Sequence, residues 1–352
     1  MLISFDTRTY IHSRFNKIDQ NDFFKRVLNH NINFFVKGTS GPKKAISDLI
    51  IAIERNALAK TTFNFYNSDV HLLNAGFYSP TWEILQPKNK KKVIVRLDGI
   101  GIDSEEIDIE KIRLKLINII NKGSSIVYQS KFSKSCFNNI YDSLPPGKII
   151  YNGVKKISNN DIKIDKKIKE LKLQFQDGFF TVAGRYSNRK RIHQITNEFA
   201  NCDLGNLVVL SNVPEKYKYK NKNIIYLGMI NPDNARRIIS SSIALIHFDR
   251  YDWCPNIVAG AIYDGTPVIC SNYGGTPELV GKNGLIIKEF PDNLPHDLEG
   301  INFAKSSPFP TKMFREKISN HNFFKKIKKN KKLYDVNKMA KDYVNLANDL
   351  IK

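Results

Sequence analysis

Between Asp252 and Gly284 the chain reads DWCPNIVAGAIYDGTPVICSNYGGTPELVGKNG, and almost every residue of it constrains the fold. An acidic residue and a Cys-Pro-Asn turn lead into the apolar run IVAGAIY, which predicts a short buried helix. Asp264-Gly265-Thr266-Pro267 stops that helix, VICSN predicts a strand, and Gly274-Gly275 opens another turn. Helix and strand joined by so few residues fit a parallel sheet with helical crossovers, and glycines at the turns allow a ligand to approach backbone.

The same alternation runs through the chain. In the first half, strands are predicted over 32–38, 69–76, 91–101, 125–130 and 148–154. Helices are expected over 43–58, 79–86, 105–121 and 131–141. In the second half, FFTVAG, NLVVLSN, NIIYLG and IALIHF read as strands, with RKRIHQITNEFAN and PDNARRIISS as helices. Strands alternating with helices predict an α/β chain of two doubly wound, Rossmann-like domains. A boundary is expected near 152–165, where Asn, Lys and Asp dominate, dividing residues 1–153 from 154–335. The length of 352 residues suffices for two cores.

Composition excludes several classes. No uninterrupted apolar run is long enough to span a bilayer, and the N-terminal residues lack the apolar core of a signal peptide, so a cytoplasmic location is expected. The four cysteines have no metal-like spacing and fit free thiols. A net charge of +21, with lysines crowded at 163–172, 216–222 and 325–332, suits an anionic membrane surface or a phosphorylated ligand. It equally follows from a chain rich in Lys, Asn and Ile throughout. No RNP motif or zinc finger accompanies the charge, so nucleic acid is not expected as a partner.

Four segments carry candidate chemistry. In VAGRYSNRKR a strand ends at Gly184, and Arg185 and Lys190 follow around a turn. A guanidinium, an ammonium and helix N-terminal amides are what a diphosphate needs, although the same pattern is also that of a solvated basic helix start. At Asn256, Ile257 and Val258 a helix begins behind Pro255, so its first N–H groups can receive an anion. Gly38, Ser40 and Gly41 form a glycine turn before an amphipathic helix, with neither P-loop nor dinucleotide spacing. Arg96 and Asp98 lie two apart at a strand end, where they share a face and can simply pair. His193 and His247 show no metal-like partners, and no metal site is expected.

Asp252, the CPN turn, GTPV and GGTPELV, together with Gly184-Arg185 and Lys190, resemble the donor-binding motifs of glycosyltransferase family 4, in a variant carrying CPN. RLDG at 96–99, VYQSKFSKS at 127–135 and IIYNGV at 149–154 are similar to other segments of that family, so the likeness spans most of residues 35–290. The resemblance implies a GT-B fold, two Rossmann-like domains about a central cleft, with a C-terminal helix over 336–352 returning to the first domain. It implies a retaining, metal-independent transfer of a hexose from a nucleotide diphosphate sugar to a glycan or lipid-linked acceptor, in polysaccharide or lipopolysaccharide synthesis and without a cofactor. Arg185 and Lys190 would hold the donor diphosphate, Asp252 and Asp98 would act on the sugar, and Gly38, Ser40, Gly41 and Arg96 would face the cleft.

One position departs from the pattern. The family carries Glu eight residues after the acidic residue, where it meets the donor ribose, and this chain has Gly260. Losing that charge-assisted hydrogen bond would cost about 1.5–3 kcal/mol of donor binding. A catalytically impaired protein that still binds nucleotide sugar or glycan is the alternative this substitution raises.

Overall fold

The computed structural model describes residues 1–5, 41–62, 68–75, 92–97, 99, 109–121, 123–157, 161–320, 324 and 334–352. The elements in chain order begin with β1 (Leu2–Phe5), α1 (Gly41–Arg55), β2 (Lys60–Thr62), β3 (Val70–Asn74) and β4 (Lys92–Leu97). They continue with α2 (Ile109–Ile120), β5 (Ser125–Tyr128), α3 (Lys131–Ile140), β6 (Gly147–Ile149) and α4 (Ile162–Gln174). Next come β7 (Phe180–Ala183), α5 (Ile192–Asn201), β8 (Leu207–Leu210), β9 (Ile224–Tyr226), α6 (Pro232–Ile239) and β10 (Leu245–His247). The chain finishes with α7 (Asn256–Asp264), β11 (Val268–Ser271), α8 (Thr276–Val280), β12 (Gly284–Ile287), α9 (Leu298–Ser306), α10 (Thr311–Ile318) and α11 (Val336–Ile351).

These elements form two compact units, Met1–Lys155 with Asp335–Lys352, and Lys156–Tyr334. Each holds one six-stranded sheet, ordered β2-β1-β3-β4-β5-β6 and β12-β11-β10-β7-β8-β9, with every neighbouring pair parallel. The inner strands are short and buried on both faces, as in β8 with Leu207, Val208, Val209 and Leu210, which explains why they read as continuous apolar runs. In the second sheet the chain winds from β7 through β8 to β9, then returns to the other side of β7 as β10. The reversal between β7 and β10 is the topological switch point, where ligands of doubly wound sheets bind beyond the strand C-termini.

In the first unit α1 and α11 cover one face of the sheet. Ile46, Leu49, Ile50 and Ile53 of α1 pack with Met339, Ala340, Tyr343 and Ala347 of α11 over Ile3, Leu72 and Ile94. Asp335 caps α11 by accepting from the Asn337 N–H at 2.7 Å, a contact of about 1 kcal/mol. Asn56 adds a link by donating to Asn337 Oδ1 at 2.7 Å. In the second unit Phe180, Val182, Ile195, Phe199, Val209 and Ile246 form the core, closed by Phe314 and Ile318 of α10.

Several expectations change. The strand that starts the first sheet is Leu2–Phe5, second from its edge between β2 and β3, whereas the expected strand over 32–38 lies outside the described residues. So does the expected helix over 79–86. The division between the units at Lys155 and Lys156 falls inside the expected 152–165 stretch, but the lysine-rich residues that follow form α4, because Ile164, Leu171 and Phe175 recur at helical spacing and Asp161 caps the first turn. The helix expected from Arg189 starts at Ile192, since Arg191 adopts the left-handed conformation at φ +53°.

Candidate functional site

A half-buried cluster of charges sits beyond β7 and β10, at the switch point of the second sheet. Lys190 Nζ lies 2.9 Å from Asp249 Oδ2 and 3.6 Å from Asp252 Oδ2. Arg189 Nη1 lies 3.2 Å from the first carboxylate and 3.8 Å from the second. His247, the last residue of β10, places Nε2 4.0 Å from Asp249 and 3.7 Å from Asp252. The Asp249 side chain is only 1% exposed, so both cations are held against a fixed, desolvated acid.

Local backbone features make this arrangement. Gly184 has φ +137°, and a Cβ there would stand 2.9 Å from Lys190 Cδ. Glycine therefore lets the Lys190 side chain fold back over the end of β7. The Arg250 N–H donates to the Arg189 carbonyl at 3.0 Å, which ties the loop after β10 to the loop after β7. Arg189 also donates to the Tyr251 carbonyl and lies over the Tyr251 ring at 5.3 Å.

The Asp252 loop rests on the double glycine. Gly274 has φ +91°, and a Cβ there would come within 2.9 Å of the Asp252 N and 3.2 Å of its carbonyl oxygen. The Gly275 N–H donates to that carbonyl at 2.6 Å. These glycines thus serve the backbone that carries the acid. Behind Asp252, α7 begins with Pro255 at its cap, which supplies no side-chain hydrogen bond to the first turn. The positive end of the α7 helix dipole thus follows Asp252 by four residues.

Burial alone would push the Asp252 carboxyl upward. The facing His247 and the charges of Lys190 and Arg189 outweigh it and hold the group well below the usual carboxylate range. Asp252 is therefore an anion at all physiological pH. His247, Asp249 and Asp252 offer three ligand atoms within 4.8 Å of one another, the donor set of a cation site. Lys190 and Arg189 already neutralise both carboxylates, so the residues fit an ion-pair cluster better than a metal centre.

The structure sorts the expected residues. It unites Gly184, Lys190 and Asp252, and it puts Asn256, Ile257 and Val258 in the first turn of α7. Arg185 is exposed and makes no ion pair among the described residues, so it stays available to a ligand. Arg189, Asp249 and His247 are the members that sequence reasoning missed. His-x-Asp-x-x-Asp at a strand end was the available signal, and it corrects the view of His247 as a residue without partners.

Gly260 has an unexpected neighbour. A Cβ at 260 would meet Arg236 Nε at 3.0 Å and Cδ at 3.1 Å. Arg236 reaches there from α6 and donates twice to Asp264, one turn further along α7, at 2.9 and 2.7 Å. The space a longer side chain would use is thus filled by a paired arginine.

In the first unit Arg96 is buried and donates to Asn152 Oδ1 at 2.7 Å. Asn152 donates to Gln129, which donates to the Leu97 carbonyl. Arg96 thus belongs to an internal polar network rather than to an open loop. Gly41 starts α1, while Gly38, Ser40 and Asp98 lie outside the described residues. Among the described residues no helix is long and apolar enough to cross a membrane.

No protein-family model and no curated protein sequence matches this chain. Solved structures do match in fold. HepE of Anabaena in complex with UDP aligns over 99% of both chains with 16% identity and a TM-score of 0.55. Sucrose-phosphate synthase from Thermosynechococcus elongatus has 14% identity and a TM-score of 0.55, over 90% of this chain and 81% of the other. The catalytic domain of starch synthase IV from Arabidopsis thaliana, bound to ADP and acarbose, has 12% identity and a TM-score of 0.55, over 92% and 81%. With two doubly wound parallel sheets of six strands, the chain shares the GT-B fold of these structures.

Proposed function

We propose that this chain is a glycosyltransferase that moves a hexose from a nucleotide diphosphate sugar to a hydroxyl of a glycan or lipid-linked acceptor. The reading assigns it to the family 4 type, with the CPN turn as its donor-site variant. One observation carries it: Lys190 stands at the switch point braced by Asp249 and by Asp252, the acid four residues ahead of the first turn of α7. An ammonium next to a helix N-terminus is a site for a diphosphate. Support also comes from the shared fold, since HepE is described with UDP-glucose and starch synthase IV with ADP.

On this reading each group has a defined task. The bond from the sugar's anomeric carbon to the diphosphate oxygen breaks, the acceptor oxygen bonds to that carbon, and negative charge grows on the leaving diphosphate. Lys190, the exposed Arg185 and the α7 N-terminus stabilise that charge, the largest electrostatic demand of the step. Lysine has three N–H donors, so Lys190 can serve a phosphate while remaining bonded to Asp249. Asp252, always ionised, accepts hydroxyls of the sugar. Metal is not required, because the cations are side chains. Arg189 holds the Asp252 loop in place through the Tyr251 carbonyl. Such an enzyme works on the cytoplasmic side of polysaccharide or lipopolysaccharide assembly.

The test is turnover. Purified protein incubated with UDP-, GDP- and ADP-linked hexoses should release nucleoside diphosphate from one of them, faster with a glycan or lipid-linked acceptor. The product anomer, read by NMR, should match the donor. Failure to release or transfer sugar from any donor would remove the enzymatic reading.

A further inference from the structure

We propose that α4 is a docking face for an anionic lipid bilayer. On a helix turning by about 100° per residue, Ile162, Lys166, Lys169 and Leu173 fall within about 60° of one another, a stripe roughly 16 Å long. All four are exposed, and the two apolar residues at its ends are unusually so, Ile162 at 84% and Leu173 at 76%. Lys163 and Lys172 flank the stripe and are exposed too. Lys163, Lys166, Lys169 and Lys172 make no ion pair among the described residues. The nearby acids are already engaged, Asp165 by Arg237 and Glu170 by Lys167.

The opposite side of the helix is anchored to its own unit. Leu171 and Phe175 are buried, Asp161 accepts from Asn234 Nδ2 at 2.7 Å, and Arg237 donates to the Asp161 carbonyl at 3.0 Å. The stripe is therefore held outward on a rigid element.

Charge and exposed aliphatics together select the occupant. Lysines with long apolar stems beside Ile and Leu suit the headgroup boundary, where ammonium groups meet lipid phosphates and aliphatic tips enter the acyl edge. Nucleic acid gains nothing from Ile162 or Leu173, and no aromatic residue on the stripe offers a base to stack on. Protein interfaces are depleted in lysine at their centres.

Vesicle sedimentation with the full chain tests this. The protein should pellet with vesicles of phosphatidylcholine and phosphatidylglycerol and stay in solution with phosphatidylcholine alone. Lys166→Glu with Lys169→Glu should cut partitioning by at least about twenty-fivefold, at roughly fivefold per lysine. Ile162→Ser with Leu173→Ser should cut it severalfold without changing charge. All four sites are exposed, and thermal unfolding of the variants should match the wild type. Equal binding to neutral vesicles, or binding that ignores both double substitutions, would overturn the assignment. So would tighter binding to a single-stranded RNA than to the anionic vesicles.

Discussion

Gly184 lies directly beneath the side chain of Lys190, so that a Cβ at 184 would stand 2.9 Å from Lys190 Cδ. The glycine after β7 is thus what allows the ammonium to reach Asp249. Gly184→Ala combines an unfavourable positive φ with this clash. It should destabilise the fold by about 1–3 kcal/mol and weaken nucleotide binding as Lys190 is displaced. Denaturant unfolding and calorimetry on one variant read both effects, and binding unchanged from wild type would contradict the coupling.

Arg185 and Arg189 should separate cleanly. Arg185 is exposed and without an ion pair, so Arg185→Ala should leave thermal stability unchanged and raise the nucleotide Kd by about tenfold or more, the loss of one charge-assisted contact. Arg189 braces the buried Asp249, the partly buried Asp252 and the Tyr251 carbonyl, so Arg189→Ala should lower Tm by several degrees. The opposite pattern would exchange their roles.

Gly260 and Arg236 make a third case. Placing Glu at 260 brings it against Arg236, which is already held by Asp264. Gly260→Glu alone should therefore lose stability without gaining donor affinity. Gly260→Glu combined with Arg236→Ala should recover a tighter Kd, by up to about tenfold, if the vacated space meets the donor ribose. A large affinity gain from the single substitution would show that Arg236 does not block the position.

The depressed pKa of Asp252 fixes a pH dependence. A carboxyl lowered by folding contributes stability above its ordinary value of about 3.9, lost only as pH falls through the lower folded value. The stability difference between wild type and Asp252→Asn should thus be constant from about pH 5 to 8 and shrink below about pH 4. A difference that vanished near pH 6 would mean the carboxyl is not held by Lys190 and Arg189.

The second sheet was largely legible from sequence, because FFTVAG, NLVVLSN and IALIHF are β-branched or aromatic runs bounded by glycine and asparagine. Leu2–Phe5 was not, since three apolar residues and a serine are too short a run to carry a periodicity. In the site, Gly184, Lys190 and Asp252 were legible through motif spacing. Asp249 showed only as part of His-x-Asp-x-x-Asp, and its pairing with Arg189 joins two different loops. Arg236 filling the space at Gly260 is a contact between two helices, which no local pattern encodes. Helix α4 was not foreseen, because its lysines obscure the recurrence of Ile164, Leu171 and Phe175.

The central claim is that Lys190 receives the donor diphosphate. Calorimetric titration of UDP, GDP and ADP into wild type and Lys190→Ala tests it most directly, with thermal unfolding to confirm that the variant folds. The account predicts that at least one nucleotide binds the wild type and that the variant binds it about ten- to a hundredfold more weakly, the loss of about 1.5–3 kcal/mol. Binding of no nucleotide by the wild type, or equal affinity in a folded Lys190→Ala, would contradict it.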